Sequence, residues 1–344
     1  MESKSIQKLN KGRVKNSEIE IEAEISSDIL AEHKALVLAD IKKDFSLPGF
    51  RKGMVPEAMI LQNIKTDHLL QEAAESAIRE VYPEIIAEAE IDPITSPQIS
   101  ITKLADGNPL GIKITVGLYP EISLPNYKKI AKNICGKREK PEVEEKEVEA
   151  VIAEFLKTRK PVAGEKDPKE LTDEDVKQFG KFESAADFRV KLKENLRLEK
   201  DVDIVKRSHD KMVRDIVEES RVALPGLLVD EELRNFLADF EGRLKDSGET
   251  LDKYFERIKK TPQEVGKEQR EYVEKSLKTK FVLSEILKIE KITANPEEAE
   301  AEAAIIKNYR PDFSKEQALA CAESMILNKN LFALLEGEKE EKKQ

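Results

Sequence analysis

At 344 residues the chain exceeds the usual size of one hydrophobic core, so two or more domains are expected. Charged residues make up 37% against 39% hydrophobic, with aromatics at 5% and no tryptophan, a balance that suits long solvated helices better than a thick core. The formal net charge of -10 argues against wholesale nucleic-acid binding, which needs a concentrated basic surface, and leaves room for a local basic patch only.

Residues 1–16 are polar and lysine-bearing, with no apolar stretch of the kind that heads a secretory signal. No run approaches the roughly 20 apolar residues that cross a bilayer, so the expectation is a cytoplasmic protein without a membrane partner. Ile19, Ile21, Ala23 and Ile25 then alternate with Glu18, Glu20, Glu22 and Glu24, the pattern of a half-buried strand. Ser26, Ser27 and Asp28 offer capping oxygens, and Leu30, Val37, Ile41 and Phe45 fall at helical spacing, predicting a helix over 29–45 that ends before Pro48.

Pro56 suits the opening of a short helix to about Ile64, and Thr66 or Asp67 caps a second to about Glu90, which Pro83 should kink or divide. Residues 94–103 and 110–118 are β-type runs joined by the turn composition Ala105-Asp106-Gly107-Asn108. Residues 1–126 thus read as one α+β domain.

Residues 127–141 are basic and mixed, and 142–160 carry a helical stripe of Val143, Val148, Val151, Ile152, Phe155 and Leu156. The prolines, glycine and charge of 161–170 mark a short linker, so 127–170 reads as a linker with one helix. From 171 to 336 the chain is helical in character, in a long pattern over 185–219 and in others opened by Pro225, Pro262 and Asn295-Pro296, with breaks expected at Gly248, Thr261 and Asn295. The charged residues 337–344 read as a disordered tail.

Chemistry-bearing motifs are few. Cys135 and Cys321 lie far apart without a companion ligand pair, which indicates neither a disulfide framework nor a metal site and reads as passive small hydrophobes. His33, His68 and His209 are scattered over predicted helices and read as packing or surface residues rather than catalytic bases. No Walker loop, nucleophile elbow, dinucleotide fingerprint or H-E-x-x-H string occurs, so no cofactor and no catalytic residue is expected.

The segment Gly49-Phe50-Arg51-Lys52-Gly53-Met54-Val55-Pro56 differs, because it puts an aromatic and two cations on a stretch bracketed by glycines between two helices. Glycine permits sharp backbone geometry, so Phe50, Arg51 and Lys52 can project together, the cations towards phosphate or carboxylate and the ring into a crevice. The plain alternative is a helix–helix connection with solvated cations and a ring folded back on the domain.

In that helix–loop–helix setting the string G-F-R-K-G-x-x-P resembles the ribosome-docking signature of trigger factor, a bacterial chaperone family. The likeness continues through Ile91-Asp92-Pro93, Ser96-Pro97 and Val116-Gly117-Leu118-Tyr119-Pro120-Glu121-Ile122. It extends more loosely to the helical region, including its entry Leu171-Thr172-Asp173-Glu174 and Phe179-Gly180. The resemblance implies an α+β ribosome-binding domain followed by an elongated, mostly helical domain with arms. It implies that Gly49, Phe50, Arg51, Lys52, Gly53 and Pro56 form the contact with a ribosomal protein and adjacent rRNA at the tunnel exit. Nascent or unfolded polypeptides are the implied clients, and a homodimer off the ribosome is known among such relatives.

One part of the family pattern is missing. The isomerase domain of FK506-binding type, inserted before the helical domain in such proteins, needs on the order of 100 residues, and only the linker stands in its place. An ATP-independent chaperone without prolyl isomerase activity is therefore expected, against the alternatives of a ribosome-independent holdase of periplasmic type or an elongated helical adaptor. Client-contact candidates are Phe236, Phe240, Leu244, Tyr254, Phe255, Ile258, Phe281, Leu319, Ile326 and Phe332, although a stripe at helical spacing is more often core.

Overall fold

The structure, a computed structural model, describes residues 5–158, 171–173, 175, 176 and 182–337. Residues 159–170 of the expected linker, Glu174, Phe179, Gly180 and the tail beyond Gly337 lie outside them. In chain order the elements are β1 (Ile6–Lys11), β2 (Glu18–Ile25), α1 (Ser27–Asp44), α2 (Glu57–Asn63), α3 (Thr66–Glu88), β3 (Gln98–Lys103), β4 (Leu110–Gly117), β5 (Ile122–Ser123), α4 (Tyr127–Cys135) and α5 (Glu145–Thr158). There follow α6 (Ala185–Glu219), β6 (Arg221–Val222), α7 (Gly226–Asp246), α8 (Leu251–Ile258), α9 (Pro262–Glu290), α10 (Pro296–Tyr309) and α11 (Lys315–Glu336). An α+β N-terminal region thus precedes a helical one. Contacts gather the chain into two compact units, each discontinuous: 1–123 with 222–281, and 124–221 with 282–344.

In the first unit four antiparallel strands stand in the order β1-β2-β4-β3. The alternation of β2 fixes its register on β4, from Glu18 opposite Gly117 to Ile25 opposite Leu110, because a slip by one residue would turn Ile19, Ile21 and Ile25 into water. Those isoleucines, with Ile112, Ile114 and Val116, are buried beneath α1 and α3, whose own contribution includes Leu30, Ala73, Ala77 and Ile85. Ser26 caps α1, its hydroxyl accepting from the Ile29 amide at 3.4 Å. Gly107 turns between β3 and β4 at φ 72°, with Asn108 N–H donating to Ala105 O.

One local expectation changes and one strand was not foreseen. α3 is not divided at Pro83, because the flanking Val81 and Ile85 are buried in the sheet's core and tertiary packing offsets the lost backbone bond. β1 carries no clean alternation, being an edge strand with no fully buried side chain, and so gave no periodic signal.

The first unit also holds α7, α8 and most of α9, built on Leu228, Val229, Val273 and Leu277, with Ile94, Leu224, Phe236 and Phe281 packed against them. α8 was not foreseen; it follows the break at Gly248 (φ 76°) and ends at Lys259 in the left-handed conformation.

In the second unit α5 lies on α6 around Val148, Ile152, Leu156, Leu171 and Val176, with Phe182 edge-on to Phe188 at 5.0 Å. The interleaved charge of α6 is not only local. Beside the pair Lys191–Asp187 within α6, Arg189, Lys193 and Lys200 reach across to Glu149, Glu145 and Glu147 of α5. Thr172 and Asp175 bond each other reciprocally, as a capping box does. α10 and α11 form a hairpin on Ala303, Ala318 and Ala322.

Among the described residues α11 is the one helix whose 22 residues, with a window of mean hydropathy 1.3, are long and apolar enough to cross a membrane by length and composition, and 28% of that window is buried. Alanines and one cysteine among the leucines raise its hydropathy without making an unbroken apolar run. Its end is tied by Glu336, which accepts from Arg138 and bonds His209 at 2.9 Å, while Phe332 stacks on the His209 ring at 3.9 Å.

Candidate functional site

The glycine-bracketed segment joins α1 to α2. Its base is closed by the Gly53 amide donating to Phe45 O at 3.2 Å, just past the end of α1, and Val55 anchors the far side with no exposed surface. Between these points Phe50 N–H donates to Leu47 O and Met54 N–H to Arg51 O, so the tip is a pair of tight turns. Gly49 (φ 94°) and Gly53 (φ 79°) take backbone conformations that other residues rarely adopt, and a Cβ on Gly53 would also meet Lys43 O at 3.3 Å.

This backbone pushes the side chains outward. Phe50 is 39% exposed and Met54 71%, while Arg51 and Lys52 are both exposed. Among the described residues Arg51 has no ion-pair partner. Lys52 Nζ lies 2.8 Å from Asp44 Oδ1, and that bond holds the Asp44 carboxyl below its ordinary range. Among the described residues the tip therefore offers one guanidinium without an ion partner, one ammonium on an exchangeable pair and one apolar ring. Such a set suits a surface where phosphate or carboxylate borders an apolar crevice.

A second constellation lies on α7, α8 and α9 within the same unit. Phe236 stacks parallel to Phe240 at 6.4 Å and lies 5.9 Å from Tyr272; Phe240 meets Tyr254 edge-on at 4.9 Å, and Tyr254 meets Phe255 at 6.0 Å. Phe236, Phe240, Arg243, Leu244, Gln269 and Tyr272 line a groove of about 430 Å³. Tyr272, 61% exposed, is the member that helical spacing within α7 could not reveal, since it comes from another helix.

The remaining client-contact candidates are buried, half-buried or packed, Leu244 within the groove's own lining. Leu244 and Ile326 are buried, Ile258 is half-buried on α8, and Phe281 meets Tyr119 edge-on at 5.3 Å while packing against the α7–α9 core. Leu319 packs in the α10–α11 hairpin and Phe332 on His209. His33 is buried, bonded to Ser76 Oγ at 2.9 Å, and His68 faces Glu72 one turn along α3. Burial pushes the Cys135 thiol up, away from the reactive thiolate.

Two family models match the chain: that described as bacterial trigger factor protein covers residues 7–155, and that described as bacterial trigger factor protein C-terminus covers 184–339. The chain belongs to the trigger factor family. The trigger factor of Clostridium beijerinckii is 27% identical, with 78% of this chain and 83% of that protein covered. The trigger factor of Caldicellulosiruptor saccharolyticus is 22% identical, with 93% and 94% covered over 416 aligned positions. Since 416 exceeds 344, that relative has residues with no counterpart here.

The fold matches a solved structure reported for promiscuous substrate recognition in folding and assembly activities of the trigger factor chaperone. The TM-score is 0.59 at 15% identity, over 96% of this chain and all of that one. Between the two family matches only residues 156–183 remain, so the domain organisation is that of trigger factor without a middle isomerase domain.

Proposed function

We infer that the chain is an ATP-independent, cytoplasmic chaperone that docks on the ribosome beside the tunnel exit. In this reading Phe50, Arg51 and Lys52 make the contact with a ribosomal protein and rRNA, Gly49, Gly53 and Pro56 set the loop, and apolar stretches of nascent chains are held on the helical region. The observation that carries it is the exposed Phe50-Arg51-Lys52 tip, with no ion-pair partner for Arg51 among the described residues, on a domain of the trigger factor family. A local cationic tip gives salt-sensitive binding even though the net charge is -10.

Holding without nucleotide chemistry relies on burial of small apolar surfaces, at roughly 25 cal/mol per Å² before ordering costs. The groove on α7–α9 offers such a surface, and we assign no prolyl isomerase activity. An adaptor built on one long seam is disfavoured, since helices end at Glu219, Asp246, Ile258, Glu290 and Tyr309. The test is sedimentation with empty and translating ribosomes across a salt series. The variant with Phe50, Arg51 and Lys52 all replaced by alanine should keep the wild-type circular dichroism and lose co-sedimentation. Undiminished co-sedimentation overturns the docking assignment.

A further inference from the structure

Within the first unit the N-terminal sheet and α7 meet through two carboxylates that lie far apart in the sequence. Pro225, at the start of α7, has no side chain that can satisfy the helix's free amides. Glu18, from the solvent-facing row of β2, supplies the missing acceptor: its Oε1 receives the Leu227 amide at 2.8 Å. One turn into α7, Glu231 reaches back, its two oxygens accepting from Ser96 Oγ at 2.7 Å and Ser96 N–H at 3.1 Å. Each segment thus contributes one carboxylate to the other.

The surface between these bonds is shaped for close approach. Gly117 on β4 faces Pro225, where a Cβ would come within 2.9 Å of the proline ring and 2.7 Å of Thr95 Cγ2. Thr95 Oγ1 accepts the Gly117 amide at 2.8 Å, and Ile94 joins the α7–α9 core beside Leu228 and Val229.

We propose that Glu18 and Glu231 are positioning residues that latch the N-terminal sheet to α7, so that the loop tip and the aromatic groove are carried as one body and docking sets where the groove faces an emerging chain. Its functional half rests on the docking and client-holding reading above; the latch itself does not. Loss of the helix-capping acceptor Glu18 shifts the latched–unlatched balance by about fivefold and loss of the Glu231 bonds to Ser96 by a similar factor, so removal of both gives about 25-fold.

The experiment measures the distance between spin labels at Gln62→Cys on α2 and Asp252→Cys on α8, with Cys135 and Cys321 replaced by alanine, in the full chain free of ribosomes. The unsubstituted latch should give one narrow distribution. Glu18→Ala with Glu231→Ala should broaden it, whereas Glu18→Gln with Glu231→Gln, which keeps one accepting oxygen at each position and leaves the side-chain amide nitrogen of the second substitution to donate to Ser96 Oγ, should restore the narrow peak. A broad distribution with both glutamates present, or a double alanine variant as narrow as the parent, overturns the latch. A photo-reactive residue at Phe240 then reports nascent-chain contact on ribosomes. The double alanine variant should still co-sediment and lose crosslinks severalfold; co-sedimentation with undiminished crosslinks overturns the positioning role. If the parent itself fails to co-sediment, the docking reading fails while the spin-label result still decides the latch.

Discussion

The loop tip and the aromatic groove belong to one compact unit but are made in opposite ways. The tip is a backbone construction: two left-handed glycines, a closing amide on Phe45 O and the buried Val55 leave Phe50 and Arg51 exposed. The groove is a side-chain construction, in which Phe236, Phe240, Tyr254 and Tyr272 from three helices face one another. A site of the first kind should fail when its backbone is altered and tolerate little else. A site of the second kind should weaken by increments.

The largest contrast is expected at Gly53. With φ at 79° and Lys43 O close by, Gly53→Ala should cost about 1–2 kcal/mol in thermal or urea unfolding and lower ribosome affinity about tenfold, checked by sedimentation. In the groove, Phe240→Ala should weaken capture of an unfolded client about three- to tenfold by fluorescence anisotropy, with co-sedimentation unchanged. Equal damage to both functions by either substitution would erase the distinction.

The smallest effect concerns pH at the tip. Because Lys52 depresses the Asp44 carboxyl, the contribution of this pair is present above the ordinary aspartate range and is lost as pH falls through the depressed value. Asp44→Asn should therefore flatten an acid-side change in loop amide exchange while leaving neutral-pH unfolding almost unaltered, as expected of an exposed pair. In the second unit, Tyr127 donates to Glu290 Oε1 at 2.5 Å, and burial together with that carboxylate pushes its hydroxyl up to about 12. Ultraviolet titration should show one tyrosine ionising well after the rest, and Tyr127→Phe should remove that late step.

Legibility in the sequence followed the same division. β2 announced itself because period-two alternation is written in consecutive residues, and α6 because its helical pattern over 185–219 is unbroken. The tip was readable because glycine is the residue that left-handed backbone requires. α4 was missed, since only Ala131 of its nine residues is fully buried and its lysines read as mixed charge. The groove was half-read: Phe236 and Phe240 of α7 fall at helical spacing, but Tyr272 joins them only through the packing of α9. Glu18 looked like one of four equivalent solvated carboxylates, and nothing nearby in the sequence says that the start of α7 needs an acceptor.

Gly117 carries a further consequence for evolution. The space for a side chain on β4 is taken by a proline ring that the chain supplies much later, so the two positions are not free to drift separately. Among sequences of this family, a bulkier residue at the position of Gly117 should be tolerated only where Pro225 has given way to something smaller. Their joint variation would preserve a record of this contact in sequences whose structures are not known.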